Sequence, residues 1–374
     1  MNRRLWVRWL PAMIAPVVVA GAALAWSLPA SAAVTLPDKT PQQVLQLAAS
    51  STVSQFSGTV SQSSQLGLPS LPSGVGSSSS GDVGSSSSGD VASLSSALQL
   101  LSGSHTARVY VNGRTQVRVE LTGSLSESDL VRNGNSVWTY DSKKNTAAHV
   151  LLPAGQTEHA PTAGSTPTPS SLAQQFLTSV SPTTQVTLGG NVRVAGRTAY
   201  DLVLTPRTTG TLVGSVSIAV DSQSGLPLSV EVLARGQSAP AVQVQFTSIK
   251  LQAPSAALFD FTPPAGAKVT TKTLTARPEA QPLTGSAGSG QATNGTAGQA
   301  TIGSGWSKIV ELPASALPSS FQATVSSPLV KDLTKQVSGG RVLSTSLVNV
   351  LMTNDGRVLI GSVPVSALQA AAGS

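Results

Sequence analysis

Residues 186–269 constrain the fold more than any other part of this sequence, because apolar residues alternate there with polar or small ones. Alternation with period two is typical of a strand with one buried face, and residues 242–246 follow it without an error. Asp221 and Gly225 lie in the turn before one of the returning strands, since Asp bonds its own backbone and Gly accepts a positive φ. The stretch therefore predicts a meander of antiparallel strands with one apolar face.

Residues 104–152 repeat this pattern, with Asn-Gly pairs at 112–113 and 133–134. Asn-Gly is a strong hairpin signal, and the short connections predict that strands adjacent in sequence pair in antiparallel fashion. At the end of the meander, Phe259 and Phe261 are two positions apart, which would place both rings on one face of a strand. The prolines that follow are expected to end the pairing, because proline lacks an amide donor.

Two helices are predicted on one side of the sheet. The first begins after Thr40, because Thr caps a helix, Pro41 suits its first position and Gln43 completes a capping box. We expect it to end near Ser54. The second begins at residues 168–171 and carries one apolar stripe. The stripe consists of Leu172, Phe176, Leu177 and Val180. Such a stripe must be covered, and the apolar face of the sheet is its expected partner.

The predicted fold class is therefore α+β: a curved antiparallel sheet with covering helices, followed by a small α+β C-terminal domain. A sheet with this many strands should curl strongly, and its apolar face under two helices should form a concave pocket. The residues predicted to line this pocket are Tyr200, Leu202, Leu204, Val216, Ile218, Val220, Val244 and Phe246. The alternation alone leaves open which face of the sheet lines the pocket.

Residues 1–32 are predicted to be a secretory signal peptide. Three arginines precede an apolar run, and Ala30-Ser31-Ala32 provides a small-x-small cleavage site. An uncleaved membrane anchor is the alternative, because the run is about long enough to cross a bilayer. The cleavage site and the prolines early in the run favour removal. Either way, the remaining chain is expected to work outside the cytoplasm, secreted or associated with the cell envelope.

Composition narrows the possible functions. The chain has no cysteine, which excludes disulfides, thiolate metal sites and a lipobox. The formal net charge is +7, and removal of the leader with its three arginines leaves +4. Because this charge is small and forms no basic cluster, no nucleic-acid partner is predicted.

The remaining chain is predicted to contain two domains. The first spans residues 33–273 and is interrupted at about 66–92 by a Ser/Gly-rich insertion, in which an eight-residue segment occurs twice. Two copies are too few for a solenoid, and a flexible insertion is the preferred interpretation. Residues 274–305 are poor in large apolar groups and are predicted to be a linker. Residues 306–374 are predicted to form the small C-terminal domain.

No catalytic, metal or cofactor motif occurs in the sequence, and we predict that the protein is not an enzyme. His105, His149 and His159 are scattered and lack metal-ligand spacing. Asp201 and Asp221 could form a carboxylate pair on adjacent strands, but water-facing positions at strand ends are the preferred interpretation. Residues 138 and 140, Trp and Tyr, share one face of a strand, and an ordinary core pair is preferred over a ligand platform.

Taken together, these features resemble the LolA/RseB superfamily, and more specifically the MucB/RseB-like and LolA-like exported proteins of actinobacteria. The resemblance rests on a helix before the first strand, a central helix that splits the sheet, and three motifs. The motifs are residues 196–202 (GRTAYDL), the hairpin from Val220-Asp221 to Gly225-Leu226-Pro227-Leu228, and the ending 259–269 (FDFTPPAGAKV). The resemblance covers roughly residues 40–269. It implies an unclosed β-barrel, or half-barrel, with helices at its mouth.

The resemblance also implies two kinds of partner. Relatives bind lipids or the acyl chains of lipoproteins in the half-barrel, whereas RseB-like members bind an anti-sigma factor. The function predicted from the sequence is accordingly an exported binding protein that holds a lipid or acyl chain. The alternative is a regulator that binds an anti-sigma factor, or another membrane-bound envelope protein, in envelope-stress signalling.

Overall fold

The computed structural model describes residues 35–67, 103–122, 127–153, 168–178, 183–273, 300–317 and 328–373. The predicted signal peptide, most of the predicted insertion and most of the predicted linker lie outside these ranges. Residues Leu36–Ser374 form one compact unit that contains two sheets. None of the helices in the described ranges is long and apolar enough to cross a membrane.

The large sheet is open, curved and almost entirely antiparallel. Its strands are β1 (Gln55–Ser64), β2 (Gly103–Asn112), β3 (Gln116–Thr122), β4 (Glu127–Asn133), β5 (Ser136–Asp141), β6 (Thr146–Leu151), β7 (Thr184–Leu188), β8 (Val192–Val194), β9 (Arg197–Pro206), β10 (Val213–Asp221), β11 (Pro227–Ala234), β12 (Pro240–Lys250) and β13 (Lys268–Thr273). Their order is β13-β6-β5-β4-β3-β2-β1-β12-β11-β10-β9-β7, and β8 also pairs with β9. Because the end strands β13 and β7 do not meet, the sheet is an unclosed half-barrel.

Pairing between β1 and β12 joins the two halves that the sequence predicted separately. Phe56 and Val60 of β1 lie on the same side as Phe246 of β12, and the Phe56 and Phe246 rings meet edge to face at 5.7 Å. Both phenylalanines are buried, at 6% and 1% exposure. The apolar side of β1 therefore faces the core.

The helices cover one face of this sheet, which we call the inner face: the face that carries Tyr200, Ile218 and Val244. Helix α1 (Pro41–Ala49) begins with the predicted capping box between Thr40 and Gln43, but it ends before the expected Ser54 because Ser50 caps it. Helix α2 (Pro169–Thr178) contacts β11 and β12. Val44 of α1 and Ala173 of α2 are fully buried in the inner-face core.

The opposite, outer face is partly covered by the segment between β12 and β13. Phe259 ends a 3₁₀ turn at Ala256–Phe259, which contacts β3 and β4, and it is 1% exposed. The prediction that Phe259 and Phe261 belong to a strand was wrong, because this segment covers a sheet face instead of pairing with an edge. The chain then forms β13, which pairs in parallel with β6.

The second sheet has the order β14-β15-β19-β18-β17-β16 and is antiparallel. Its strands are β14 (Ala300–Ile302), β15 (Ile309–Leu312), β16 (Lys335–Val337), β17 (Gly340–Ser344), β18 (Asn349–Thr353) and β19 (Val358–Gly361). Helices α3 (Pro328–Leu333) and α4 (Val365–Ala372) accompany it, and Leu368 of α4 is buried in its core. Strand β14 lies within the stretch predicted as a linker. The α+β character predicted for the C-terminal region is confirmed.

Candidate functional site

The eight residues predicted to line a pocket all lie on the inner face. The register places Tyr200, Leu202 and Leu204 of β9 opposite Val220, Ile218 and Val216 of β10. Val244 of β12 joins the same face through its pairing with β11, and Phe246 follows two positions later. Each of the eight is at most 2% exposed. Six of them belong to the core cluster that includes Val44 and Ala173 of the helices, and Val244 and Phe246 belong to a neighbouring cluster around Phe56. Contact of these eight residues with a ligand stays a prediction.

The hydroxyl group of Tyr200 in this core forms a hydrogen bond with a residue outside the sheet. The Tyr200 hydroxyl donates to the Pro37 carbonyl oxygen at 2.9 Å, ahead of helix α1. Burial raises the pKa of Tyr200, with a smaller contribution from Asp38. The phenol therefore stays protonated and ties the chain before α1 to the sheet.

A cavity of about 1020 Å³ lies beside this core, where the inner face meets the second sheet. Its lining residues are Leu172, Thr183, Val213, Val230, Val232, Val242, Ser304, Gly305, Trp306, Lys308, Val310, Leu347, Val348, Ile360, Gly361 and Ser362. We call it the inter-sheet cavity. Val230 and Val232 continue the predicted set on the same face, so the alternation in β11 could have identified them. The lining residues that come from the second sheet are not marked by an alternating pattern that would have assigned them to this cavity.

Three contacts between the sheets hold this cavity in shape. The Leu212 amide and the Thr211 hydroxyl both donate to the Ser362 carbonyl oxygen, each at 2.8 Å. The Trp306 indole Nε1 donates to Thr184 Oγ1 at 2.9 Å. Trp306 and Leu347 also pack against the inner-face core, so the second sheet forms part of the wall.

The chemistry of the inter-sheet cavity is that of a binding site. Its walls are mostly Val, Leu, Ile and Trp side chains, and Lys308 is the one charged residue among those that line it in the described ranges. Among the described residues that line it there is no histidine and no carboxylate. The arrangement can surround an apolar chain and place one ammonium group near its end.

A second cavity of about 410 Å³ lies between α1 and α2. It is lined by Leu45, Ala48, Ala49, Ser51, Val53, Phe56, Ser170, Gln174, Leu226 and Pro227. This second cavity is smaller and partly apolar, and it is separate from the inter-sheet cavity.

The two aspartates singled out from the sequence have different surroundings. Asp221 is 1% exposed and accepts hydrogen bonds from Arg197 Nε and Nη2 at 2.9 and 2.8 Å, so the prediction that it faces water was wrong. Burial, with repulsion from Glu231 as a second cause, raises the pKa of Asp201 to about 6, although a hydrogen bond with Ser217 opposes the shift. Asp221 therefore belongs to an ion pair with Arg197 at the β10–β11 turn, whereas Asp201 is a carboxylate whose pKa is raised.

The aromatic pair on β5, Trp138 and Tyr140, packs against other aromatic side chains of the same chain. The Trp138 ring stacks on His149 with centroids 4.1 Å apart, and Phe261 contacts both Trp138 and Tyr140 at 5.6 and 6.1 Å. These contacts confirm the interpretation of Trp138 and Tyr140 as a packed pair. In the part of the chain described here, no group of three or more His, Asp or Glu side chains is arranged for a metal ion.

Comparison with known proteins finds a family similarity for most of the large sheet. Residues 96–274 match the family model of the MucB/RseB N-terminal domain. No curated protein sequence matches the chain.

Solved structures with a similar fold include three examples from different bacteria. The Pseudomonas aeruginosa MucA/MucB complex shows 18% identity over 88% of this chain and 95% of that chain, with a TM-score of 0.38. An uncharacterized conserved protein from Thermus thermophilus shows 16% identity over 62% and 98%, with a TM-score of 0.33. The LolA superfamily protein NE2245 from Nitrosomonas europaea shows 12% identity over 60% and 99%, with a TM-score of 0.22.

Proposed function

This chain belongs to the LolA/RseB superfamily through its MucB/RseB N-terminal domain, and on that premise we propose that it is an extracytoplasmic, non-enzymatic protein that binds a lipid or acyl chain. The inter-sheet cavity is the proposed binding site. None of the eight predicted residues from Tyr200 to Phe246 is among the described residues that line this cavity; they lie on the same face of the sheet as Val230 and Val232, which do. Lys308 is proposed to meet the anionic end of the ligand.

The observation that carries this proposal is the size and composition of the inter-sheet cavity. Its volume of about 1020 Å³ lies at the upper end of the range of about 300–1,000 Å³ typical of small-molecule sites. Burying an alkyl chain contributes about 0.8 kcal/mol per methylene, so apolar walls of this extent favour a hydrocarbon ligand. The predominance of apolar side chains in the lining argues against a strongly polar ligand.

Ligand-induced stabilisation tests the proposal. After delipidation, a long-chain fatty acid should raise the melting temperature, because a ligand at about 100 times its Kd stabilises the native state by about 2.7 kcal/mol. Val242→Phe fills part of the cavity and should reduce this rise, since Val242 lines it. Val117→Phe is the matched control, because Val117 is also a half-buried valine that packs on the same core but lies outside the cavity lining.

Native mass spectrometry of the exported protein gives an independent readout. Co-purified lipid in the wild type and in Val117→Phe, but not in Val242→Phe, would support the proposal. Absence of bound lipid, together with no change in melting temperature at saturating fatty acid, would reject it.

Binding of an anti-sigma factor is the second candidate function, and the family model favours it. The Pseudomonas aeruginosa structure is a complex of MucB with MucA. The proposed partner of this chain is the extracytoplasmic part of a membrane-bound anti-sigma factor or similar envelope protein. Affinity capture from envelope extracts, followed by titration with the purified partner segment, tests it. Failure to recover any membrane protein would leave lipid binding as the sole proposal.

A further inference from the structure

We propose that the outer face of the large sheet carries a binding site for one hydrated divalent cation of the Ca²⁺ or Mg²⁺ class. The site is a pocket of about 250 Å³ beside strand β8, on the side of the sheet opposite the inter-sheet cavity. It is lined by Val192, Arg193, Val194, Asp201, Ser217, Ala219, Ser229, Glu231 and Gln245. We call it the outer-face pocket.

The strand register gathers the oxygen-bearing side chains of this pocket. Asp201 of β9 lies opposite Ala219 of β10, Ala219 lies opposite Ser229 of β11, and Ser229 lies opposite Gln245 of β12. A second row, two positions along, pairs Ser217 with Glu231. Residues in these positions share one face, so carboxylate, hydroxyl and amide oxygens from four adjacent strands converge.

Ser229 is the independent sign that the outer-face pocket is built for a ligand. It is only 4% exposed, it lines the pocket, and its Oγ has no hydrogen-bond partner among the described residues. A buried hydroxyl without a partner is unfavourable, and such groups in native proteins are normally satisfied by protein, water or an ion. A coordinated cation with its waters would satisfy this oxygen.

The charges of the pocket also favour a cation. Asp201 and Glu231 place two carboxylates close enough that Glu231 contributes to the raised pKa of Asp201. Gln243 Nε2 donates to Glu231 Oε1 at 2.6 Å, but this neutral amide cancels no charge. Arg193 is the one cation among the described residues that line the pocket. It is exposed, and its Nη1 donates to the Gly196 carbonyl oxygen at 3.1 Å. One negative charge therefore remains uncompensated among the lining side chains.

The donor set selects the class of cation. Carboxylate, hydroxyl and amide oxygens suit hard cations, and Mg²⁺ in particular keeps several waters when held by one or two carboxylates. A water occupies about 30 Å³ in the liquid, so the pocket has room for an ion with part of its hydration shell. Transition metals that prefer imidazole or thiolate find neither among the lining residues in the described part of the chain.

Isothermal titration of the full mature chain with CaCl₂ and MgCl₂, after treatment with chelator, tests the site. We expect saturable binding of one ion with a Kd of about 10⁻⁴ to 10⁻³ M, as in extracellular calcium modules, and a rise in melting temperature. Asp201→Asn should weaken binding at least about tenfold, because one of the two carboxylates is lost. Arg193→Gln should tighten binding, since it removes the opposing charge. Asp332→Asn changes an exposed carboxylate elsewhere and should have no effect.

Stability in chelator separates loss of the site from loss of the fold. Without metal, Asp201→Asn should be at least as stable as the wild type, because the substitution removes a like-charge pair with Glu231. Absence of saturable binding in the wild type, or unchanged binding in Asp201→Asn, would overturn the proposal. These results are independent of lipid binding, because no described residue lines both the outer-face pocket and the inter-sheet cavity.

Discussion

At the scale of single residues, the ion pair between Asp221 and Arg197 shows how a turn residue can become a buried structural element. Asp221 also accepts hydrogen bonds from the Ser224 amide at 2.8 Å and from the Ser224 hydroxyl. Burial alone would raise the pKa of Asp221, but the hydrogen bonds from Arg197 and Ser224 and the Arg197 charge outweigh it and lower the pKa. The charged form of Asp221 therefore stabilises the folded protein.

This gives a pH-dependent prediction. Asp221→Asn should lower the free energy of unfolding at pH 7 by about 3 kcal/mol, because it breaks a buried ion pair and leaves Arg197 without its charged partner. The folded-state pKa lies below the ordinary value of 3.8, so the contribution of Asp221 is complete above that value and is lost as the pH falls through the folded-state pKa.

Urea denaturation of the two proteins at pH 7 and at pH 3 measures the effect. The difference between wild type and Asp221→Asn should shrink at the lower pH. A difference of equal size at both pH values would show that the charge of Asp221 plays no part. Asp332→Asn, at an exposed site, should match the wild type throughout.

At the scale of elements, helix α1 is docked on the turn between β10 and β11. Gly225 in this turn has φ +71°, and a Cβ added there would lie 2.2 Å from the Leu47 carbonyl oxygen of α1. The turn thus needs glycine for two reasons, the left-handed backbone and the close approach of the helix. The sequence predicted the first reason, but the second depends on a contact between distant residues.

A pair of glycine substitutions separates these two effects. Gly236 has a similar φ of +79°, but no heavy atom of the described residues lies within 4 Å of an added Cβ. Gly236→Ala should therefore cost only about 1–2 kcal/mol of backbone strain. Gly225→Ala should destabilise the protein more, because α1 must also move away. Chemical denaturation measures both; equal losses of stability would contradict this account of α1 docking.

Local patterns explain why most elements could be predicted from the sequence. Strands β9 to β12 were predictable because one side of each is buried, and α1 because its capping box lies within four residues. Strand β13 could not be found this way, since all six of its residues are exposed and its parallel pairing with β6 depends on the route of the preceding segment. Residues 335–337 form a three-residue edge strand that pairs with β17.

At the scale of the whole molecule, the inter-sheet cavity is formed by parts of the chain that are far apart in sequence. Trp306 and Thr184, which hold its edge, are 122 residues apart. The predicted residue set identified the correct face of the large sheet, but not the position on that face where space remains. That position is decided by where the second sheet meets β10 to β12, and no local pattern encodes it.

Trp306 also makes the central proposal directly measurable. Trp138 and Trp306 are the two tryptophans outside the predicted leader, and only Trp306 lines the inter-sheet cavity. Trp138 instead stacks on His149 at the outer face. A brominated fatty acid quenches tryptophan emission at near contact, so the two residues report on different places in the molecule.

The most direct test is therefore titration of brominated fatty acid into the mature Trp138→Phe and Trp306→Phe proteins. If the inter-sheet cavity holds the acyl chain, Trp306 emission in Trp138→Phe should be quenched with saturation, and Trp138 emission in Trp306→Phe should be unchanged. Unquenched Trp306 emission at ligand concentrations that saturate binding, or equal quenching of both tryptophans, would contradict the assignment of this cavity as the binding site.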